Sequence, residues 1–355
     1  MKIKLTLFFI SVVLTVTGQN LQRNEINIPN IPGYVTLKCD FHIHTYFSDG
    51  EVLPRVRVRE AWQEGLDAIA ITDHIEYWRF NKGEYSDRNK PYYDALNEAQ
   101  NLDIILIRSI ELTKSMPPGH INLLFLEDVN KIDTVDYRKA LKEAKRQNAF
   151  IFWNHPGWKS QAPDGAKWYD EHTEMFEKDW MNGIEIVNWD EWYPEVLDWA
   201  IEKNLTLIGN SDVHMPINDY LNQFDFEHRP MTMIFAKDRT QESMKEALLA
   251  GRTILWFNDL IIGRKKFAEK LIKESIKIKS IQNISENNYY VHIQNHSDFN
   301  FTISGINGMA DNKKLLAGNT IRIWINSENS IEEVLIKFEN VKTSSEEVLE
   351  TMIHF

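Results

Sequence analysis

The feature that most constrains the fold is the alternation, from Val35 to about Gly263, of short apolar runs with longer amphipathic segments. Runs dominated by Val, Ile and Leu are typical of parallel strands that are buried on both faces. The strand-like runs are VTLKCDFHI, DAIAITDH, DIILIRSIEL, HINLLFL, AFIFWNHP, GIEIVN, LTLIGNSDVH and MTMIFA. Helix-like segments such as LPRVRVREAWQEG and YRKALKEAKRQ separate many of them. The sequence therefore predicts an α/β fold whose repeated units close into a βα barrel.

The pattern changes near residue 266. A helical connector around Phe267 to Glu274 is followed by runs in which every second residue is apolar, as in TIRIWIN and NYYVHIQN. A period of two indicates strands with one buried face, so we expect a small all-β, sandwich-like domain. The predicted division is residues 35–265 for the barrel and 266–355 for the connector and the β domain.

The N-terminal segment predicts export. Lys2 and Lys4 precede an apolar run from Leu5 to about Val16, and small residues follow near Gly18. This is the pattern of a signal peptide over residues 1–18, followed by a linker over 19–34. The alternative is a membrane anchor, but the run is shorter than the roughly 18–20 residues that span a bilayer. We therefore expect a periplasmic or secreted protein without a stable membrane anchor.

The charge of the chain restricts its partners. The formal net charge is -12 at pH 7, which disfavours nucleic acid or an anionic membrane surface as the main partner. An acidic chain that binds a small anionic ligand must supply positive charge locally, and metal ions provide it.

Histidines and carboxylates recur where predicted strands end or begin. The first strand ends in Asp40-Phe41-His42-Ile43-His44, and a period of two places both imidazoles on one side of the chain. Comparable groups follow or precede the later strands, where barrel loops build active sites. The candidate metal ligands are His42, His44, Asp49, His74, Glu111, His120, His155, Asp212 and His214. Structural sites usually close with four ligands, so this number predicts a multinuclear centre with positions open to water and substrate.

At these residues the chain resembles the PHP family, named for the domain shared by bacterial DNA polymerases and histidinol phosphatases. The resemblance covers roughly residues 36 to 260 and is carried by DFHIHTYFSDG, ITDH, Glu111, GH at 119–120, NHP at 154–156 and SDVH at 211–214. It implies a distorted barrel of about seven strands that holds three divalent metal ions, which zinc, manganese or iron would fit.

The resemblance also divides the ligands among the metals. His42, His44 and Asp212 would bind the first metal, His120 and His155 the second, and Asp49, His74 and His214 the third. Glu111 would bridge the first two. Asp49 precedes Gly50, so its alternative interpretation is a turn residue.

Longer stretches resemble an exported phosphodiesterase subgroup of that family: DRN at 87–89, SMPPGH at 115–120, FWNHP at 152–156 and HRP at 228–230. The expected reaction is hydrolysis of a phosphate ester by a water that two metals share and activate. Glu111 and Asp212 are the predicted catalytic residues, with Asp212 placed to accept or relay a proton.

Substrate-binding residues are expected just beyond the strand ends. Arg88, Lys114 and Asn188 are the chosen candidates, with Arg79, Trp158, Lys159 and Trp189 nearby in sequence. A cation at such a position would hold a phosphate oxygen. For Arg88 and Lys114 a solvated surface charge is an equally good interpretation.

Three other functions remain open on the sequence. One is a phosphomonoesterase of the histidinol-phosphatase type. Another is an amidohydrolase, which also carries H-x-H on its first strand, although no clear lysine is present for a carbamylated bridge. The last is an exported binding protein that keeps metal for stability.

Overall fold

The computed structural model describes residues 22–80, 82–305, 312–327 and 333–354. The predicted signal peptide lies outside the described residues. The helices are α1 (Pro54–Gln63), α2 (Lys90–Asn101), α3 (Tyr137–Arg146), α4 (Asp170–Glu177), α5 (Pro194–Glu202), α6 (Ile217–Phe224), α7 (Gln241–Leu249) and α8 (Lys265–Ser275). The strands of the first part are β1 (Val35–Asp40), β2 (Ala68–Ile71), β3 (Ile105–Leu112), β4 (Ile121–Leu124), β5 (Phe150–Trp153), β6 (Gly183–Asn188), β7 (Glu191–Trp192), β8 (Thr206–Asn210), β9 (Met231–Ala236), β10 (Thr253–Phe257) and β11 (Leu260–Gly263). Those of the second part are β12 (Ile276–Ser285), β13 (Asn288–Asn295), β14 (Phe301–Ser304), β15 (Lys313–Leu315), β16 (Thr320–Asn326), β17 (Glu333–Lys342) and β18 (Val348–His354).

The strands of the first part form a distorted barrel. Hydrogen-bonded neighbours follow the order β9-β1-β2-β3-β4-β5-β6, and β8 pairs with β6. The ring closes between β8 and the β9-β10 pair through side chains: Thr232 Oγ1 contacts the backbone N and O of Gly209, and Thr253 Oγ1 donates to the carbonyl of Leu207. Almost every residue of these strands is buried, as expected for strands with a core on one face and helices on the other. The predicted α/β barrel is confirmed.

Two barrel strands run against the expected parallel direction. β4 pairs antiparallel with both β3 and β5, and β9 pairs antiparallel with β1. The connection between β3 and β4, residues 113–120, is shorter than the roughly dozen residues that a parallel crossover needs. The helix before β9 is α6, which packs against Trp189 just beyond the end of β6. Because α6 lies at that end of the barrel, β9 begins there and runs in the opposite direction to β1.

The second part is all-β, as predicted. β12-β13-β16 form one sheet, while β15-β14-β17 with β18 form another layer. The alternating residues Val291, Ile293, Ile323 and Ile325 are buried in one core with Phe338 and other residues of the opposite layer. β11 pairs parallel with β17, so the barrel sheet continues into the β domain.

Local sequence signals explain several helix boundaries. α1 begins at Pro54, whose missing N–H costs nothing in the first turn. The side chain of Asp136 caps α3 by accepting from two backbone N–H groups, and Thr240 caps α7. None of the helices in the described part of the chain combines the length and the apolar composition needed to cross a membrane.

The described part of the predicted linker is packed against both domains. The guanidinium of Arg23 donates to the carbonyls of Gly65 and Leu66 behind α1. The backbone N of Asn27 donates to Asp298 in the β domain at 2.7 Å. These contacts join the segment before β1 to the barrel and to the β domain at the same time.

Candidate metal centre

The nine predicted ligands converge at one end of the barrel. His42 and His44 follow β1, His74 follows β2, His155 follows β5, and Asp212 and His214 follow β8. His120 precedes β4 instead, but β4 is antiparallel, so its first residue lies at the same end as the last residues of its neighbours. We call these nine side chains the metal-site cluster; their donor atoms fall into four overlapping groups in which all atoms lie within 4.8 Å of one another.

The first group brings together the two imidazoles of the H-x-H sequence and one carboxylate. Asp212 Oδ1 lies 3.2 Å from His42 Nε2 and 2.9 Å from His44 Nε2. Asp212 has a positive φ of 53°, a conformation that non-glycine residues rarely adopt. The backbone after β8 is therefore bent in a way that turns this carboxylate toward both imidazoles.

Glu111 lies at the centre of the cluster and is fully buried. Its Oε1 is 3.4 Å from His42 Nε2, 3.0 Å from His120 Nδ1 and 3.8 Å from His155 Nε2. Its Oε2 is 2.6 Å from His74 Nδ1. One carboxylate thus lies close to imidazoles from four separate loops.

The last group surrounds Asp49. Its carboxylate oxygens lie 3.4 Å from His74 Nε2 and 3.4 Å from His214 Nε2, and Oδ1 is 3.7 Å from His44 Nδ1. Gly50 allows this approach, because a Cβ there would come within 2.6 Å of the backbone carbon of His44. The loop after His44 therefore folds back on itself and presents Asp49 to the imidazoles.

The surroundings favour the metal-binding protonation states of Glu111 and His44, whereas neighbouring carboxylates outweigh burial and raise the pKa of His42, His74 and His214. Burial raises the pKa of Glu111, but the neighbouring His74, His120 and His42 outweigh burial and hold that pKa well below its ordinary value. Burial, with the charges of His214 and His74, lowers the pKa of His44 to about 3. A deprotonated carboxylate and a neutral imidazole are the forms that coordinate metal.

Several buried nitrogen and oxygen atoms of the cluster make no hydrogen bond with the described residues, although other imidazoles and carboxylates lie close to them. They are His42 Nε2, both ring nitrogens of His44, Glu111 Oε2 and Asp212 Oδ1. Buried polar atoms are rarely left without a partner. Tetrahedral ligands about 2 Å from a metal lie a little over 3 Å from one another, close to the separations found here. Divalent metal ions therefore fit the donor set and would satisfy these atoms.

Glu185 contacts His42 of the first group on the side of its ring that faces away from Asp212. It is fully buried in β6, where Oε1 lies 2.9 Å from His42 Nδ1 and Oε2 accepts from the backbone N of His155 at 2.8 Å. Asn188 and Asn210 each donate a side-chain N–H to the same carboxylate. Glu185 therefore fixes the ring orientation of His42 and leaves its Nε2 facing Asp212.

Two further charged residues position the loops of the Asp49 group. Asp73 accepts from the backbone N and the hydroxyl of Thr45 and from the hydroxyl of Ser48, at 2.6–2.7 Å. The buried guanidinium of Arg57 on α1 donates to the carbonyls of His44 and His214 and of two neighbouring residues. These contacts tie the loop after β1 to the loop after β8.

Glu185, Asp73 and Arg57 were not among the predicted site residues, although Glu185 and Asp73 each carry a recognisable signal. Glu185 interrupts the apolar run GIEIVN, where a strand buried on both faces has no use for a charge unless the charge is paired. Asp73 directly precedes His74. Arg57 carries only a weak signal, because a cation on an amphipathic helix is usually a solvated residue.

A cavity of about 530 Å³ opens onto the metal-site cluster. Asp49, His74, His120, His155, Asp212 and His214 line it, together with Tyr77, Trp158, Lys159, Gln161, Asn188, Trp189, Asp190 and Glu191. Of the three predicted substrate-binding residues, the structure brings Asn188 to this cavity.

Arg88 and Lys114 lie elsewhere. The guanidinium of Arg88 lies over the ring of Trp78, 4.6 Å from its centroid. Lys114 Nζ lies 2.7 Å from a carboxylate oxygen of Glu76 and donates to the carbonyl of Thr134. Neither side chain is among those lining the cavity, because each is engaged by partners outside it. Their role in substrate binding stays a prediction.

Comparisons with known proteins agree with the geometry. The family model described as PHP domain matches residues 40–296. The crystal structure of a two-domain protein from Bacteroides vulgatus, described as containing a predicted PHP-like metal-dependent phosphoesterase, has a TM-score of 0.88 and 39% sequence identity to this chain. That alignment covers 94% of this chain and 99% of the other.

Curated relatives match over shorter stretches. An uncharacterized protein of Methanocaldococcus jannaschii is 39% identical over 85 residues, which is 24% of this chain and 37% of that protein. A histidinol-phosphatase of Lactococcus lactis is 38% identical over 64 residues, which is 18% of this chain and 23% of that enzyme. The chain thus matches well under two thirds of the length of either curated relative.

Proposed function

This chain belongs to the PHP domain family, and on that premise we propose that it is a metal-dependent phosphodiesterase whose site holds three divalent metal ions. The observation that carries the proposal is the convergence of nine imidazole and carboxylate side chains at the mouth of one cavity. Such a number exceeds what one ion needs.

The proposed ligand assignment is the one that the family resemblance implies, and several distances support it. His42, His44 and Asp212 would hold one ion and Asp49, His74 and His214 another, since each set lies within one group of mutually close donors. His120 and His155 would hold a further ion with Glu111, whose Oε1 faces both rings. Zinc, manganese and iron all suit this mixture of imidazole and carboxylate.

When bound, the metal ions supply Lewis acidity, which lowers the pKa of water and offsets negative charge on the phosphoryl oxygens. The protein supplies the proton acceptor. Asp212 is the best-placed group, because its carboxylate lies at the cavity wall between the imidazoles of His42 and His44. The same two imidazoles hold its pKa far below the ordinary value, so it is ionised at neutral pH.

The charged side chains that line the cavity outside the metal-site cluster favour a diester over a monoester. Lys159 is the one lysine or arginine among the described residues that line it, and Asp190 and Glu191 lie beside it. A phosphodiester carries one negative charge, whereas a monoester carries about 1.5 to 2 at neutral pH and would gain from extra cations. A monoesterase is the second candidate, favoured by the local similarity to a histidinol-phosphatase.

The test combines metal analysis with a panel of substrates that each release a coloured nitroaromatic product. Purified protein is assayed with bis-p-nitrophenyl phosphate, p-nitrophenyl phosphate and p-nitroacetanilide, and with the His42→Ala and Glu111→Ala variants. We expect about three bound metals, fastest turnover of the diester, and loss of turnover by orders of magnitude in both variants while they stay folded.

His292→Ala is the matched control, because His292 lies on β13 in the β domain, where its Nδ1 is 3.0 Å from the hydroxyl of Ser280. Faster turnover of the monoester would favour the second candidate, and turnover of the amide alone would favour an amidohydrolase. Wild-type activity in both ligand variants would remove the proposed site.

We also propose that the protein is exported, on the evidence of the lysines and the apolar run in residues 1–18. Cell fractionation of the full chain, beside a variant that starts at residue 19, tests this. Equal retention of both inside the cell would contradict it.

A further inference from the structure

Three aromatic rings line the cavity, and each lies close to a different part of the metal-site cluster. The ring centroid of Tyr77 is 5.3 Å from that of His74, and Trp189 is 5.9 Å from His214. Trp158 lies 5.2 Å from His155 and 5.8 Å from His120. We call these three residues, Tyr77, Trp158 and Trp189, the aromatic rim. A phosphoester held by the metals would place its leaving group among these rings.

The rim exposes apolar area that folding alone does not explain. Tyr77 is 60% exposed and Trp158 39% exposed, although rings of this size are usually buried. Trp189 is held rigidly: its backbone has a positive φ of 58°, its carbonyl accepts from the Tyr220 hydroxyl at 2.6 Å, and its ring packs against Tyr220 and Phe224. A bulky residue kept in this conformation beside a cavity indicates a positioned contact surface.

The charge around the rim is unsuited to a second anion on the substrate. Lys159 is largely exposed and lies 3.9 Å from Glu191. Asp190 and Glu191 line the same wall as Trp189. A further phosphate carried by the leaving group would therefore meet two carboxylates and one shared cation.

We propose that the aromatic rim selects phosphoesters whose leaving group carries a planar aromatic ring and no second phosphate. This inference rests on the proposed function and names the substrate class of that site. Stacking between a planar ring and tyrosine or tryptophan supplies the recognition, and it tolerates different rings because each has a π face. A nucleoside and a simple aryl alcohol share this chemistry.

The test uses pairs of diesters with similar leaving alkoxides. Benzyl methyl phosphate is compared with cyclohexylmethyl methyl phosphate, and the methyl ester of adenosine 5′-phosphate with that of ribose 5-phosphate. We expect kcat/KM to be about tenfold or more higher for the planar member of a pair, the effect of one stacked ring. A phosphate added to the adenosine 3′ oxygen should lower kcat/KM.

Variants of the rim residues test which ring produces the preference for a planar leaving group. Tyr77→Ala and Trp158→Leu should each reduce the planar-to-saturated ratio several-fold, while Trp158→Phe keeps most of it. The ratio is insensitive to a general loss of metal, which slows both members of a pair equally. Tyr93→Ala is the matched control, because Tyr93 is a 50% exposed tyrosine on α2 that does not line the cavity.

Calorimetry compares the affinities of benzylphosphonate and cyclohexylmethylphosphonate, which bind without being hydrolysed. This comparison separates the inference about the rim from the proposed function. Equal turnover of the planar and saturated diesters would overturn the proposed role of the aromatic rim but would agree with phosphodiesterase activity. Tighter binding of benzylphosphonate without turnover of any ester would support the rim and overturn the phosphodiesterase. A larger ratio for the adenosine pair than for the benzyl pair would identify a nucleoside as the source of the ring, and the reverse an aryl alcohol.

Discussion

At the scale of single residues, Glu185 decides how His42 is presented to the metal-site cluster. Glu185→Gln keeps the shape but replaces one carboxylate oxygen with a donor, so His42 Nδ1 loses its charged partner. Removing such an outer partner typically lowers metal affinity about 10- to 100-fold. We expect that loss in a chelator-competition titration, with an unchanged circular dichroism spectrum. Glu195→Gln, on the exposed face of α5, is the control, and equal affinities in the two variants would refute the role.

The sequence predicts the metal-site cluster better than it predicts the residues that position the cluster. His42 and His44 are recognisable because strand periodicity places both imidazoles on one side and the strand ends where barrels build their sites. Lys114 illustrates the limit, since its position after Glu111 suggests a place near the site, yet the structure pairs it with Glu76. Chain order fixes which strand end a residue follows but not the direction of a long side chain.

At the scale of elements, α1 connects two loops of the site through Arg57. Its guanidinium donates to backbone carbonyls on both sides of the Asp49 group and to Glu60. Arg57→Lys keeps the charge but not the planar fork of donors. Each lost hydrogen bond from a charged donor costs about 1.5–3 kcal/mol. We expect a free energy of unfolding lower by about 3 kcal/mol or more, and fewer bound metals per chain.

Denaturant titration of metal-free protein and metal analysis measure these two effects. Arg59→Lys, two residues further along α1, is the matched control: Arg59 pairs with Glu98 at the surface, where ion pairs contribute about 1 kcal/mol or less. A full metal complement in Arg57→Lys would show that the guanidinium stabilises the fold without positioning the ligands.

Helix α4 carries a pH-dependent contact with the loop before His120. His172 is buried, stacks on Trp153 at 3.6 Å, and has Nε2 2.8 Å from the carbonyl of Pro118. Burial lowers the pKa of His172 to about 4, below the ordinary 6.5. The unfolded chain therefore takes up a proton on this imidazole at a higher pH than the folded chain does. The stability contributed is complete above about pH 6.5 and is lost as the pH falls toward 4.

The difference between the two pKa values corresponds to about 3 kcal/mol. In metal-free protein, we expect the free energy of unfolding to fall between pH 6.5 and 4 by about that much more in the wild type than in His172→Gln. Denaturant titrations across this range measure it, with His292→Gln as the control. Parallel pH curves for wild type and His172→Gln would contradict the assignment.

The elements themselves were predicted unevenly. The helix over residues 137–146 has a clear amphipathic pattern and an aspartate cap, and it forms where expected. α4 and α6 were missed, because each spans eight residues and gives too few turns for a periodic signal. The direction of β4 is likewise absent from its own residues, since a fully buried strand has the same apolar composition in a parallel or an antiparallel pair.

At the scale of the whole molecule, the barrel and the β domain share one core. The period-two pattern after residue 275 predicts one-sided strands, but it does not say what covers them. In the structure, Trp256 of β10 contacts Phe299 at 5.0 Å between ring centroids, and Phe299 continues to Phe301. With β11 paired to β17, this contact makes the two parts cooperative, so we expect them to unfold together.

Phe299→Ala tests that coupling. Phe299 is fully buried, and truncation of a buried phenylalanine costs about 3–5 kcal/mol. Because the lost contacts lie between the two parts, the single unfolding transition should move to lower temperature as a whole, with metal release and loss of near-ultraviolet circular dichroism shifting together. Trp324→Ala, at a 45% exposed position on β16, should move the transition little. Two separated transitions, with metal release staying at the wild-type temperature while the β domain melts early, would mean that the barrel folds independently of the strands that follow it.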